Sequence, residues 1–171
     1  MTNELEVLKS VETENTITQR ELAKRTGLSL GSVNVLIKRL IHKGLLKIEH
    51  VNAKTLRYIL TPKGMMEKAR LTYKYIVISY NHISRIEYKL EQIIDNKEDV
   101  IEIGLHGEKD ELYDIITSKL KSMDKPFIYI SDQNTLDQYK GKEYIIITWN
   151  PEHIENLADT CLNVINILSI Q

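Results

Sequence analysis

The chain has 171 residues, 42% of them hydrophobic and 27% charged, a composition typical of a globular protein with one or two domains. No apolar run approaches the roughly 20 residues that cross a bilayer, and the N-terminus lacks the basic start and apolar core of a secretory signal. The single cysteine, Cys161, excludes an intramolecular disulfide. We therefore expect a cytoplasmic protein with no membrane partner.

The charge is divided unequally along the chain, although the formal net charge is only −1. Residues 1–80 contain 14 Lys and Arg against 7 Asp and Glu, whereas residues 81–171 contain 9 against 17. The first half therefore carries +7 and the second −8. This division predicts that the N-terminal half meets a polyanion and that the C-terminal half does other work.

Three short helices are predicted in the first quarter of the chain. Thr18 and Glu21 have capping-box spacing, so the second helix begins there, and Gly27 ends it as a left-handed residue does. Ser29 can cap the third helix, which Gly44 terminates. The apolar stripe of the third helix consists of Val33, Leu36, Ile37, Leu40 and Ile41. Two short helices joined by a tight glycine turn are typical of a helix-turn-helix, whose second helix enters a major groove.

Two strands are predicted next, at 45–51 and 55–60, because apolar and polar residues alternate there, and Asn52-Ala53-Lys54 joins them. The stretch ITQRELAKRTGLSLGSVNVLIKRLIHKGLLKIEH, together with the junction RYILTPKG, resembles winged helix-turn-helix regulators of the MarR-like type over about residues 4–70. The resemblance implies that the third helix reads the major groove of double-stranded DNA. It also implies that the hairpin, the wing, lies at the minor groove or the backbone.

The side of the third helix opposite its apolar stripe is the predicted DNA-reading face. Small polar residues near its N-terminus allow close approach to base edges, and the cations further along can reach phosphates. The resemblance assigns Ser32, Asn34 and Lys38 to bases. The full set of predicted DNA-binding residues is Gln19, Arg20, Ser29, Ser32, Asn34, Val35, Lys38, Arg39, His42, Lys54 and Arg57. The alternative is that the cations of this helix form an ordinary solvated face.

A long helix is predicted to follow, because Thr61 can cap it, Pro62 suits its first position, and neither Gly nor Pro occurs between Gly64 and Gly104. Apolar residues recur along it at alternating spacings of three and four, interrupted by Glu87, as in a two-stranded coiled coil. The predicted dimerisation residues are Ala69, Tyr73, Ile76, Tyr80, Ile83 and Leu90. We therefore expect a homodimer. The alternative is that the C-terminal domain folds back and buries the stripe within one chain.

The C-terminal part has an α/β pattern. A helix at 108–123 and three strands are predicted, at 100–105, 127–131 and 144–149. A last helix is expected from Asn150-Pro151 toward Leu168. Strands that alternate with helices form a parallel sheet with right-handed crossovers, here of order 2-1-3.

The predicted fold class is α+β with two domains. A winged helix-turn-helix DNA-binding domain at 1–64 is followed by a long helix at 65–96, expected to dimerise. The remaining residues, 97–171, are expected to form a small three-stranded parallel α/β domain with an effector or assembly role.

Ligands of such a sheet bind beyond the carboxyl ends of its strands. The residues predicted to line this cleft are His106, Gly107, Asp132, Thr148 and Asn150. The turn GLHGEKDEL is similar to a worn dinucleotide-binding turn, and the domain resembles the small Rossmann-like half-domain behind some winged-helix regulators, which implies a sensing role. Helix N-terminal amides near Gly107 suit a small anionic effector, which Gly107→Val is expected to block without loss of the fold. The alternative is that these are ordinary turn and cap residues.

No pattern of catalytic residues occurs in the sequence. The five histidines show no metal-ligand spacing on one helix, and CxxC, nucleophile-elbow and Walker motifs are absent. We therefore expect no enzyme, no metal and no cofactor. The prediction is a dimeric, sequence-specific DNA-binding transcriptional regulator controlled through its C-terminal domain. The alternatives are a nucleotide- or nucleotide-sugar-handling enzyme that docks on nucleic acid, and an architectural DNA-binding protein.

Overall fold

The structure is a computed structural model that describes residues 2–52, 55–95, 102–131, 144–150 and 163–169. Its helices are α1 (Asn3–Thr13), α2 (Gln19–Thr26), α3 (Leu30–His42), α4 (Pro62–Asp95) and α5 (Glu111–Ser122). Its strands are β1 (Leu46–Asn52), β2 (Thr55–Leu60), β3 (Glu102–His106), β4 (Phe127–Tyr129), β5 (Tyr144–Thr148) and β6 (Asn163–Asn166). The chain divides into two compact units, Met1–Ser79 and Tyr80–Gln171, with the boundary inside α4.

The first unit packs α1, α2, α3 and the β1–β2 hairpin around one apolar core. Its buried side chains include Val7, Leu8, Val11, Ile17, Leu22, Val33, Leu36, Ile37, Leu40, Leu45, Leu46, Tyr58 and Leu60. Four of the five stripe residues predicted for α3 are in this core, and the fifth, Ile41, is partly buried against it. Each buried aliphatic side chain contributes roughly 1.5–3 kcal/mol. The core therefore fixes which face of α3 points outward.

The caps predicted from the sequence fix the ends of α2 and α3. The Thr18 hydroxyl accepts a hydrogen bond from the Glu21 amide at 3.2 Å, and the Glu21 carboxylate accepts one from the Thr18 amide at 2.8 Å. Gly27 and Gly44 have φ of +68° and +72°. This left-handed conformation costs residues other than glycine roughly 1–2 kcal/mol, so both glycines end their helices as expected.

The antiparallel hairpin of β1 and β2 confirms the two strands predicted at 45–51 and 55–60. The Tyr58 amide donates to the Asn15 carbonyl oxygen at 2.8 Å, which fastens β2 to the loop before α2. Lys54, predicted for the hairpin tip, lies outside the described residues.

The long helix α4 has 34 residues and is therefore about 50 Å long. It contributes Leu71 to the core of the first unit, and Ile86, Leu90 and Ile94 to the core of the second. The assignment of Leu90 to a dimer seam is thus wrong, because this side chain is fully buried inside its own unit. At this end of α4 the apolar stripe is therefore buried within its own chain, as the alternative to a coiled coil predicted.

The second unit contains a parallel sheet of strand order β4-β3-β5-β6. Its first three strands have the predicted order 2-1-3. The helix predicted toward Leu168 is wrong for residues 163–166, which form the fourth strand β6. Val164 and Ile165 are β-branched and pair beside β5, where such side chains pack well. The rest of that predicted helix, 151–162, lies outside the described residues.

The core of the second unit lies against the sheet. It includes Ile86, Leu90, Ile94, Ile103, Leu105, Ile116, Leu120, Ile145, Ile147, Trp149 and Ile167. An ion pair between Lys119 and Glu91 links α5 to α4. None of the helices in the described part of the chain is long and apolar enough to cross a membrane.

Candidate nucleic-acid interface

A line of exposed residues runs along α3 opposite its buried stripe. Gly31, Val35, Lys38 and His42 follow one another at spacings of four, three and four, so they share one face of the helix. Val35, an apolar residue, is 67% exposed at the centre of this face. Lys38 forms no ion pair with any described residue, so its ammonium group is available to a phosphate.

Two serines organise the N-terminal end of this face. The Ser29 hydroxyl oxygen accepts from the Ser32 amide at 3.2 Å and lies 2.8 Å from the Ser32 hydroxyl oxygen. The two hydroxyls that the sequence assigns to DNA therefore bond to each other, and the Ser29 hydroxyl also caps α3. Asn34, assigned to a base, is half-buried on the flank of the helix.

A groove runs between the start of α1 and this end of α3. It is lined by Asn3, Leu28, Ser29, Gly31, Ser32, Val35, Leu36 and Arg39. Four of the predicted DNA-binding residues therefore share one concave surface. The Arg39 guanidinium places a positive charge in the lining of this groove, and such a charge attracts the phosphates of a nucleic-acid backbone.

Glu4, in the first turn of α1, forms ion pairs with two cations of α3. Its carboxylate lies 3.2 Å from Lys43 Nζ and 3.6 Å from Arg39 Nη2. The side chain of Glu4 is 18% exposed, against 56% for Arg39. Arg39 therefore has a partly shielded counterion within its own unit, unlike Lys38 on the neighbouring position.

The two predicted residues of α2 have different surroundings. The Gln19 side-chain amide donates to the Tyr58 hydroxyl at 3.2 Å and so links α2 to β2, whereas Arg20 is exposed. Beside them, the hydrogen bond from the Thr18 amide lowers the pKa of Glu21, and the Thr18 hydroxyl lowers that pKa further. The ionised Glu21 carboxylate therefore stabilises the start of α2 at neutral pH, and this stabilisation is lost as the pH falls through the lowered pKa.

Of the two predicted wing residues, Lys54 and Arg57, the structure describes only Arg57. It is half-buried on β2, and its Nη1 lies 3.9 Å from the Glu49 carboxylate on the paired strand β1. This carboxylate balances part of the Arg57 charge. The wing therefore offers a weaker attraction to phosphate than the free ammonium of Lys38.

Part of α4 exposes apolar residues over several turns. Tyr73 is 71% exposed, Ile76 58% and Tyr80 67%, and their spacings of three and four place them on one face. Ala69, also predicted for the dimer seam, is exposed on the same face, and Ile83 is half-buried. Contiguous exposed apolar surface of this kind marks interaction sites in proteins.

The carboxyl ends of the strands in the second unit carry an aromatic cluster. The Tyr113 ring lies edge-on to Tyr129, with 5.5 Å between centroids, and 6.2 Å from the Trp149 ring. The Lys109 ammonium sits 4.3 Å from the Tyr129 centroid, a cation–π distance. A Cβ built on Gly107 would lie 2.5 Å from the buried Trp149 ring, so Gly107 is covered by that ring. The expectation that Gly107→Val leaves the fold intact is therefore wrong.

Where they are described, the other predicted cleft residues are buried or half-buried. Thr148 and His106 are buried, and His106 Nδ1 lies 2.9 Å from the Ile130 carbonyl oxygen. Asn150 is half-buried, and Asp132 lies outside the described residues. At the start of α5, the Asp110 carboxylate accepts from the amides of residues 112 and 113 at 3.0 and 3.1 Å. The helix amides predicted to attract an anion are thus capped by a carboxylate already.

Residues 2–47 match the family described as winged helix-turn-helix DNA-binding. The matched range spans α1, the helix-turn-helix of α2 and α3, and the start of β1, and the β1–β2 hairpin supplies the wing. The N-terminal unit is a winged helix-turn-helix domain. Its recognition in the sequence is confirmed. No curated protein sequence matches the chain.

Several solved structures resemble the chain at low sequence identity. The YusO protein from Bacillus subtilis is 26% identical over 47% of this chain and 60% of its own, with a TM-score of 0.38. The PcaV transcriptional regulator from Streptomyces coelicolor is 17% identical over 72% of this chain and 79% of its own, with a TM-score of 0.47. MepR, a transcription regulator of the Staphylococcus aureus multidrug efflux pump MepA, is 14% identical over 72% and 76%, with a TM-score of 0.43.

The junction between the winged helix and α4 explains the sequence RYILTPKG. The Thr61 hydroxyl donates to the Gly44 carbonyl oxygen at 2.7 Å and accepts from the Gly64 amide at 3.0 Å. A Cβ on Gly64 would lie 2.1 Å from the Leu45 carbonyl oxygen. Threonine and glycine at these positions therefore hold the start of α4 directly against the end of α3.

The sequence did not reveal the tertiary contacts of two residues that shape these surfaces, Glu4 and Trp149. Glu4 was not linked to α3, because its partners are 35 and 39 residues away and no periodicity relates them. Trp149 was assigned only to a strand end, and its contact with Gly107 depends on tertiary packing. A signal for the second contact did exist, because a glycine at a strand end often marks close approach of another group.

Proposed function

We propose that the protein is a sequence-specific, dimeric DNA-binding transcriptional regulator. The proposal rests mainly on the exposed line of Gly31, Val35, Lys38 and His42 on the second helix of a helix-turn-helix. That line belongs to a basic half of the chain, with 14 Lys and Arg against 7 Asp and Glu in residues 1–80. Positive charge on a major-groove helix is the electrostatic footprint of duplex DNA binding.

The contacts divide into base-reading and phosphate-binding groups. Gly31 and Val35 lie toward the N-terminal part of α3, which enters the groove most deeply in helix-turn-helix proteins. Lys38, Arg39 and Arg20 are exposed cations suited to phosphates, which fix register without reading sequence. Ser29 and Gln19 support the interface through bonds to their own chain, Ser29 to Ser32 and Gln19 to Tyr58.

The first test replaces Lys38. Lys38→Ala should weaken binding to every duplex and reduce the slope of log affinity against log salt by about one, because one phosphate contact is lost. Lys121→Ala makes the same change at an exposed position in the acidic half and should leave both quantities unchanged. Titrations of labelled duplex at several salt concentrations give the slope. A wild-type protein with no salt-dependent affinity for duplex DNA would overturn the proposal.

A second test concerns the carboxylate that pairs with α3. Glu4→Gln should strengthen DNA binding and steepen the salt dependence, because Arg39 and Lys43 lose their shared counterion and then release counterions from DNA instead. Glu6→Gln is the control. It removes the same charge from α1, but Glu6 forms no ion pair with α3 among the described residues. Equal salt slopes for the two variants would show that the Glu4 pairs do not limit Arg39 and Lys43.

The proposed dimer rests on the exposed face of α4. Tyr73, Ile76 and Tyr80 would meet their counterparts across a two-fold axis in a parallel coiled coil, which would remove their apolar surface from water. Two-fold symmetry also matches paired DNA half-sites. The seam proposed here ends before Leu90, because that side chain belongs to the core of the second unit.

A small anionic effector at the strand ends is not part of this proposal. The Asp110 carboxylate already accepts from the first amides of α5, and a second negative group there would be repelled. The Trp149 ring covers Gly107. An architectural role remains distinguishable by experiment, because selection from random duplexes should yield a consensus for a regulator and none for an architectural protein.

A further inference from the structure

The base-reading end of α3 is apolar at its centre. Val35 is exposed in the middle of the outward face, and Gly31, one turn earlier on the same face, has no side chain. The space above Gly31 is open, since a Cβ built there would meet nothing closer than 4.0 Å. A base pair can therefore approach the backbone at Gly31 until it contacts the Val35 side chain.

The neighbouring polar groups are poorly placed to replace an apolar contact. The hydroxyls of Ser29 and Ser32 lie 2.8 Å apart and share one hydrogen bond at the N-terminal end of this face, where Ser29 also accepts from the Ser32 amide. Asn34 is half-buried on the flank. The cations Lys38 and Arg39 lie one turn further along, and Arg39 pairs with Glu4. Among the described residues, the two positions at the centre of the reading face, Gly31 and Val35, thus carry no hydrogen-bonding side chain.

Only one feature of the major groove matches such a surface. Guanine, cytosine and adenine present hydrogen-bond donors and acceptors there, whereas thymine also presents its apolar 5-methyl group. Pressing Val35 against a polar base edge would strip water from groups that gain no partner, which is unfavourable. Contact with a thymine methyl buries two apolar surfaces together.

We infer that Val35 reads a thymine 5-methyl group in each half-site, with Gly31 allowing the close approach. The inference rests on the proposed DNA-binding function and adds the chemical group that is recognised. The surrounding cations favour duplex DNA as the occupant of this apolar patch over a neutral partner. Val35 is then a specificity-determining residue, and Lys38 supplies affinity without sequence preference.

The test uses uracil in place of thymine, which removes only the methyl group and keeps every hydrogen-bonding atom. Duplexes selected from a random pool by the full-length protein are remade with single thymine-to-uracil changes. We expect one position per half-site where the change weakens wild-type binding about fourfold, the loss that corresponds to one buried methyl group. Val35→Ala should bind the thymine and uracil duplexes at that position almost equally.

Lys38→Ala is the matched control, because it should weaken binding to the thymine and uracil duplexes by the same factor. Wild-type binding that is insensitive to uracil at every position, or a selected consensus without thymine, would overturn the thymine contact while DNA binding stands. Uracil sensitivity that persists unchanged in Val35→Ala would also overturn it, because another residue would then contact the methyl group. Absence of any salt-dependent duplex binding would instead overturn the proposed function itself.

Discussion

Replacing Ile76 by glutamate should convert the protein from a dimer into a monomer. Ile76 lies between Tyr73 and Tyr80 on the exposed face of α4, so two-fold pairing would bring two added carboxylates into one apolar seam. Unpaired charges in such a seam are strongly destabilising. Light scattering should give about twice the chain mass of 19.9 kDa for the wild type and the single-chain mass for Ile76→Glu.

The control is Asn81→Glu, which adds the same charge at an exposed position of the same helix. Asn81 is about 140° around the helix from Ile76, away from the proposed seam. This variant should remain a dimer. Because a monomer engages only one half-site, Ile76→Glu should also bind a two-site duplex roughly 100-fold more weakly. A wild-type protein that is monomeric at micromolar concentrations would contradict the proposed seam.

Replacing Gly64 by alanine should clearly lower the free energy of unfolding, although it adds only one methyl group. The added Cβ would overlap the Leu45 carbonyl oxygen at 2.1 Å and approach the Leu60 side chain at 2.7 Å. The first contact is with backbone, so relief requires α4 to move away from the end of α3. Overpacking of this kind costs about 1–3 kcal/mol and occasionally more.

Gly31→Ala is the matched control for stability, because Gly31 is also helical and its Cβ would meet no atom closer than 4.0 Å. Alanine is favoured over glycine by about 1 kcal/mol inside an exposed helix, so this variant should be slightly more stable than the wild type. Urea unfolding monitored by circular dichroism compares the two. Equal unfolding free energies for Gly64→Ala and Gly31→Ala would mean that the junction tolerates a side chain.

Local signals predicted the winged helix well. The Thr18–Glu21 capping box, the left-handed Gly27 and the cap at Ser29 each act within a few residues, so they are visible in the sequence and recur in the structure. The α3 stripe follows from helical periodicity for the same reason. The outward face of α3 could therefore be identified from the sequence.

Features that depend on distant packing were harder to predict. Residues 163–166 combine apolar and polar residues in a short run, and such runs do not distinguish helix from strand. A heptad pattern looks the same whether a second chain or the same chain covers it, so Leu90 could not be separated from Tyr80. The ion pairs of Glu4 and the ring over Gly107 join residues remote in sequence.

The position of Trp149 has a practical consequence. It is the single tryptophan of the chain, and it is buried in the second unit with its indole N–H donating to the Glu108 carbonyl oxygen at 3.1 Å. Intrinsic tryptophan emission therefore comes from the α/β unit alone, because the winged helix contains no tryptophan. Far-ultraviolet circular dichroism is dominated by helices of both units.

Comparing the two spectroscopic signals during heating separates the melting of the two units without labels or truncation. Coincident transitions would mean that α4 couples the units into one cooperative structure, and separate transitions would mean that each unfolds by itself. The same emission reports whether duplex DNA, bound at α3, alters the surroundings of a ring that belongs to the other unit.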